Sequence, residues 1–139
     1  MFSSARKLQE FFPVPFKEIQ YINETGIDAL AIMVGTAHGK YAKVPVLAID
    51  RIAEIHAATK AHLVLHGGSG VPDDQIQAAV KAGIRKINYY SYMSKAGYMA
   101  AKATIESCKT SYLHDVEYAA MQAMKEDVKT AISVFSDIK

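Results

Sequence analysis

Residues 63–88 read LVLHGGSGVPDDQIQAAVKAGIRKIN. The stretch continues an apolar run, HLVLH (62–66), too short for a typical helix and rich in Leu and Val, which predicts a strand. GGSG (67–70) is turn chemistry. Pro72 is a favoured first helical residue, and Asp73 and Asp74 follow where the positive end of the helix dipole favours carboxylates. The spacing predicts a helix to Gly83, which can take the left-handed conformation that stops it. The apolar pattern resumes in RKINYY (85–90), a second strand. Strand, short helix and strand in succession make a βα unit, and such units build a parallel sheet.

The pattern extends upstream. ALAIMV (29–34) predicts another strand, and IDRIAEIHAATK (49–60) a helix with Ile49, Ile52 and Ala53 on one face. NETGIDALAI and VKAGIRKIN both run helix end, Gly, Ile, polar residue, strand, a weak repeat of one junction. The first two strands are nearly all apolar, which suits parallel strands covered on both faces. Downstream the pattern is helical, over 92–108 and 115–136. In the second of these, Val116, Ala120, Ala123, Met124, Val128, Ala131, Ile132 and Phe135 form one apolar stripe expected to pack as core. Residues 1–20 carry no assigned structure, and residues 21–139 read as the C-terminal portion of a larger domain. Three βα units cannot close an eight-stranded barrel, which takes about 250 residues.

Composition narrows the function classes. The chain has 139 residues, half of them hydrophobic, and a formal charge of +2. That charge is too small, and the lysines too dispersed, to argue for nucleic acid. No apolar run approaches a membrane span, and the start lacks the apolar core of a secretory signal. The single cysteine, Cys108, permits no internal disulfide and suits a reducing compartment. A cytoplasmic location is expected.

Parallel βα arrays build their sites at the carboxyl ends of the strands. His66 ends the second predicted strand, His38 follows the first by four residues, and Asn88 and Ser91 lie at the end of the third. Each histidine precedes a glycine, Gly39 and Gly67, which lets backbone approach a ligand. Two imidazoles at equivalent strand ends suit a borderline metal such as zinc. His62 and His66 share the spacing H-x-x-x-H, but four residues of strand span about 13 Å, so His62 is excluded from a shared ion. His56 and His114 are expected at the surface. GGSG ahead of a helix amino end presents N–H groups to an anion. It is neither a Walker loop nor a dinucleotide fingerprint, because G-K-[ST] and G-x-G-x-x-G are absent.

In ETGIDALAIMVGTAHGKY (24–41), LVLHGGSGVPDDQIQAAVKAGIRKIN and, more loosely, HDVEYAAMQAMKEDVKTAISVF (114–135), the chain resembles the class II, zinc-dependent fructose-bisphosphate and tagatose-bisphosphate aldolases. The resemblance runs from about Tyr21 onward. It implies an α/β fold, the C-terminal part of a (β/α)8 TIM barrel, with about strands six to eight and their helices. It assigns His38 and His66 to two of three zinc ligands. Gly39, Gly67, Gly68, Ser69, Asn88 and Ser91 fall to substrate and phosphate contacts, with a monovalent cation, Na+ or K+, beside them. The family's Asn-x-x-Thr reads Asn88-Tyr89-Tyr90-Ser91 here. The family's third zinc histidine and its acid/base aspartate find no match in these residues.

The implied function is reversible zinc-dependent cleavage of fructose 1,6-bisphosphate, or a similar ketose bisphosphate, to dihydroxyacetone phosphate and an aldehyde. Such a lyase belongs to glycolysis and carbohydrate metabolism. With the acid/base aspartate unmatched, the isolated chain is expected to be inactive. Its expected partners are a phosphorylated ketose and either an N-terminal barrel half or further copies of itself. A different class of function, a non-catalytic fragment that binds phosphate or a partner chain, is separated from it by whether such a half completes the site. A phosphosugar isomerase on the same barrel type fits the paired histidines less well.

Overall fold

A computed structural model describes residues 16–36, 44–107, 109 and 112–136. The chain divides into two compact units, residues 1–88 and 89–139.

In the first unit, α1 (Phe16–Thr25), β1 (Ala29–Ala31), α2 (Ile49–Ala58), β2 (His62–Leu65), α3 (Asp73–Ala82) and β3 (Ile84–Ile87) alternate along the chain. The strands form one parallel sheet in the order β1-β2-β3. Ala29, Leu30 and Ala31 pair with His62, Leu63 and Val64. On the other side Leu63 pairs with Ile84, but Val64 pairs with Lys86 and Leu65 with Ile87, so β3 carries one extra residue, Arg85, in the ladder. The extra residue is accommodated by its own side chain, whose guanidinium donates to the carbonyls of Val80 (3.2 Å) and Ile84 (3.1 Å).

The core follows from the patterning. Leu63, Val64 and Leu65 are all buried, as expected for a central parallel strand with helices on both faces. Ile52 and Ile55 of α2 and Ile76 and Ala79 of α3 complete it. The helical face of α2 therefore runs through Ile52 and Ile55, three apart, while Ala53 is exposed. The expectation that β1 is also covered on both faces is corrected: Ala29 and Ala31 are exposed and Leu30 half-buried. Among the described residues β1 pairs with β2 alone.

The strands are also shorter than the apolar runs predict. Past Ile32 the chain turns at Gly35, whose φ of 103° disfavours a side chain and where a Cβ would lie 2.4 Å from the Val46 carbonyl oxygen. The Val34 carbonyl then accepts from the Ala48 N–H (3.0 Å) rather than from a strand. Gln75 of α3 fastens the returning segment. Its carbonyl oxygen accepts from the Leu47 N–H (2.6 Å) and its amide nitrogen donates to the Pro45 carbonyl (2.9 Å). Helix α3 starts at Asp73, with Pro72 one place outside it, and stops at Gly83 with φ 128°, as the sequence predicts. At Gly83 a Cβ would also meet the His56 ring at 2.4 Å, so packing reinforces the backbone requirement.

The first half of helix α1 falls within residues left without assigned structure, although its end at Thr25 before Gly26 (φ 67°) matches the repeat read in the sequence. It is tied to α2 by Glu18 and Arg51, whose carboxylate and guanidinium meet at 2.7 Å with side chains 20% and 12% exposed.

The second unit contains α4 (Ser91–Glu106) and α5 (Leu113–Ser136). Gly97 is buried and faces Ala120 and Met124, while Tyr89, just before α4, donates to Asp127 (2.7 Å) and stacks edge-on against Phe135 (5.8 Å). The contacts run in opposite sense along the two helices, so they pack antiparallel. The stripe on α5 holds in part: Ala131 is buried, Val116, Ala120, Ala123, Met124, Val128 and Phe135 are half-buried, and Ile132 is exposed at 54%.

Candidate metal and anion site

The site begins where β2 and β3 end. Asn88 donates its backbone N–H to the Leu65 carbonyl (2.9 Å), and its own carbonyl accepts from the Gly68 N–H (3.0 Å). These two bonds continue the parallel ladder past the strands and place Asn88 alongside His66. The side chains follow: Asn88 Nδ2 lies 3.2 Å from His66 Nδ1 and 3.0 Å from Nε2. Lys86 Nζ in turn donates to Asn88 Oδ1. Lys86 and Asn88 are two apart, the separation that puts residues of a strand on one face.

The glycine turn that follows is built for close approach. Gly67 and Gly70 both have positive φ, 69° and 89°. At Gly68 a Cβ would sit 2.6 Å from Ile87 Cγ2 and 3.2 Å from the Asn88 carbonyl oxygen, so glycine lets the turn lie against β3. The Gly68 N–H is committed to that packing and is not a donor to an anion. Ser69 is buried at 5% exposure, and the Val71 N–H returns to the Gly68 carbonyl (3.4 Å). The turn delivers the chain to the amino end of α3, where neither Pro72 nor another side chain caps the helix. That end carries unsatisfied N–H groups and a positive partial charge, moderated by exposed Asp73 and Asp74 in the first turn.

The structure thus brings together His66, Gly67, Gly68, Ser69 and Asn88. His38 and Gly39 lie outside the described residues. Ser91 does not end a strand; it is the first residue of α4 in the second unit, because the chain leaves β3 after Ile87 and Tyr90 precedes the helix. His62 starts β2 and is exposed, at the opposite end of the strand from His66. His56 and His114 are exposed, the latter 3.4 Å from Asp115. Sequence reasoning missed Lys86; the two-residue spacing to Asn88 was the available signal.

Among the described residues no group of three or more His, Cys, Asp or Glu side chains could enclose a metal ion. His66 still has the chemistry of a single ligand. Asn88 Nδ2, close to both ring nitrogens, lies over the face of that ring at the strand-end rim.

The sequence pattern of the family Fructose-bisphosphate aldolase class-II matches residues 6–138. Solved structures with the same fold include the YdjI aldolase from Escherichia coli K12, at 30% identity and TM-score 0.79 over 88% of this chain and 45% of that one. The fructose-bisphosphate aldolase of Campylobacter jejuni matches at 15% identity and TM-score 0.75 over the same shares, 88% and 45%. A putative fructose-1,6-bisphosphate aldolase from Coccidioides immitis matches at 20% and 0.69, over 91% of this chain and 43% of that one. The chain therefore spans less than half the length of each of these three proteins, and its α/β architecture is that of part of an aldolase TIM barrel.

Proposed function

This chain belongs to the class-II fructose-bisphosphate aldolase family, and from that membership we propose that it supplies the phosphate-binding and metal-binding side of a ketose-bisphosphate aldolase site. The observation that carries the reading is the single strand–turn–helix in which His66, just past the end of β2, is followed by a glycine turn with Gly68 and Ser69 buried and by an amino end of α3 that no side chain caps.

Each residue has a role in that reading. His66, with His38 from the preceding βα unit, would hold Zn2+. When bound, the ion would supply a Lewis acid for the ketone oxygen of the substrate. Gly39, Gly67, Gly68 and Ser69 would approach the phosphate, with Na+ or K+ sharing its charge. The positive end of α3 would orient that phosphate and so fix the reacting carbons. Asn88, with two N–H donors on a short side chain, would hydrogen-bond the dihydroxyacetone portion. Cleavage of the carbon–carbon bond also needs an acid/base carboxylate to take the hydroxyl proton on the aldehyde side. No residue of this chain matches the family's aspartate for that step, so we assign it, with the third zinc histidine, to a complementary barrel half. The substrate class is a phosphorylated ketose, fructose 1,6-bisphosphate or a close relative, and the setting a cytoplasmic lyase of carbohydrate metabolism.

The test is fructose 1,6-bisphosphate cleavage by this chain with added zinc and with a chelator control, alongside zinc and phosphate binding. Binding of both ions without cleavage is the expected result. Chelator-sensitive cleavage by the chain alone would show that a carboxylate within these residues acts as the base. Failure to bind either ion would refute the site.

A further inference from the structure

The direction in which His66 offers its nitrogens depends on a torsion that the residue's own chemistry leaves loose. Rotation about the bond from Cβ to an imidazole is a terminal sp3–sp2 torsion, broad rather than held in narrow wells. That rotation aims the ring nitrogens, whose lone-pair and N–H directions lie in the ring plane. A ligand of fixed direction therefore needs a neighbour that sets the plane.

Asn88 is placed to be that neighbour. Its Nδ2 lies 3.2 Å from His66 Nδ1 and 3.0 Å from Nε2. Within the ring plane, a position so close to both nitrogens falls against the carbon that joins them, so the amide nitrogen stands over the ring face. Asn88 thus takes neither in-plane direction along which an ion approaches. Turning the ring about its bond would drive a ring edge into the amide. The amide is itself fixed at two levels. Backbone bonds from the Asn88 N–H to Leu65 and from the Gly68 N–H to Asn88 hold the residue at the strand end. Lys86 Nζ donates to Asn88 Oδ1. An ammonium has donors only, so it takes the oxygen and leaves the nitrogen end of the carboxamide for the ring. Lys86 is anchored in turn by its pairing with Val64 in the ladder.

We propose that Lys86 and Asn88 are positioning residues for metal binding: Lys86 orients the Asn88 carboxamide, and the carboxamide sets the plane of the His66 ring. The assignment rests on the reading of His66 as a metal ligand. It gives Asn88 a task before any substrate arrives, and gives Lys86 one that needs no contact with ion or substrate.

The experiment titrates zinc into the full chain against a chromophoric chelator, in wild type, Asn88→Ala, Lys86→Met, the double variant and His66→Ala. Asn88→Ala should weaken zinc binding about three- to tenfold, below the roughly 10–100-fold that follows loss of a hydrogen-bonded partner of a ligating histidine, because a contact and not a bond to the ring is removed. Lys86→Met should weaken it by at least about twofold more in the wild-type background than in Asn88→Ala, the coupling expected of residues that act through one another. The ammonium's repulsion of the ion is lost in both backgrounds and cancels. In metal-free protein, NMR relaxation of the His66 ring should give a lower order parameter in Asn88→Ala and in Lys86→Met than in wild type. Zinc binding in Asn88→Ala as tight as in wild type, or an unchanged ring order parameter, with His66→Ala still weakening binding at least about tenfold, would overturn the positioning role and leave the ligand assignment intact. Equal effects of Lys86→Met in both backgrounds would strike Lys86 from it. Equal zinc binding by wild type and His66→Ala would overturn both readings. Should Asn88→Ala lose its helical circular dichroism, Lys86→Met decides through zinc binding and the ring order parameter.

Discussion

Two histidines four residues apart on β2 illustrate how much one position decides. His62 opens the strand and His66 follows its end, so the ladder separates them by roughly 13 Å, and the glycine turn lies beside His66 alone. Substituting His66 with Ala should lower zinc affinity at least about tenfold, the loss expected from removing one imidazole ligand. His62→Ala should leave it within about twofold. Isothermal titration with zinc distinguishes them, and equal losses would contradict the assignment of ends. His66 was legible in the sequence because it terminates an apolar run and precedes Gly-Gly. Lys86 was not, because a lysine on a strand is ordinarily a solvated charge, and its bond to Asn88 depends on a neighbour's rotamer.

At the scale of elements, the helices and strands were legible where periodicity and punctuation agreed. Pro72, Asp73, Asp74 and Gly83 bracket α3, and the buried triplet of β2 is an uninterrupted apolar run. The ends of β1 and β3 were not legible, since Ile32, Met33, Tyr89 and Tyr90 extend the apolar pattern where the backbone has already left the sheet. What turns the chain after β1 is long-range. Gln75 reaches from α3 to both Pro45 and Leu47, and replacing it with Ala should cost about 1–3 kcal/mol, two partly buried hydrogen bonds with one N–H left to find water. Urea unfolding followed by circular dichroism measures it; a loss within 0.3 kcal/mol, roughly that of an ordinary surface change, would show that the segment holds itself. In the second unit, Gly97 marks the closest approach of α4 to α5, with Met124 Cγ and Sδ 2.8 Å from where a Cβ would stand. Gly97→Val should destabilise by about 1–3 kcal/mol through overpacking. Gly97→Ala should be near neutral, because the flexible Met124 can yield and alanine gains about 1 kcal/mol of helix propensity. Paired thermal melts of the two variants test this, and equal melting temperatures would argue against a tight crossing.

For the whole molecule, the parallel α/β class followed from the order of elements alone. Closure did not follow, because no local pattern says what stands beside an edge strand. Both β1 and β3 are paired on one side among the described residues, and half-buried Leu30 and exposed Met33 (68%) lie at or just after the β1 edge. Unpaired parallel edges recruit further chain. The chain in solution should therefore associate with increasing concentration, which sedimentation velocity over a hundredfold concentration range would reveal. A monodisperse monomer throughout would contradict it.

The additional residue in β3 settles who stands next to whom. Had the register set by Leu63 and Ile84 continued unbroken, counting forward would bring Ile87 abreast of His66, an aliphatic neighbour with nothing to offer an imidazole. Arg85 advances the count by one, and Asn88 arrives in that place. The polar character of this strand-end rim is in that sense arithmetic: a single inserted position chooses between a carboxamide and a hydrocarbon beside the histidine.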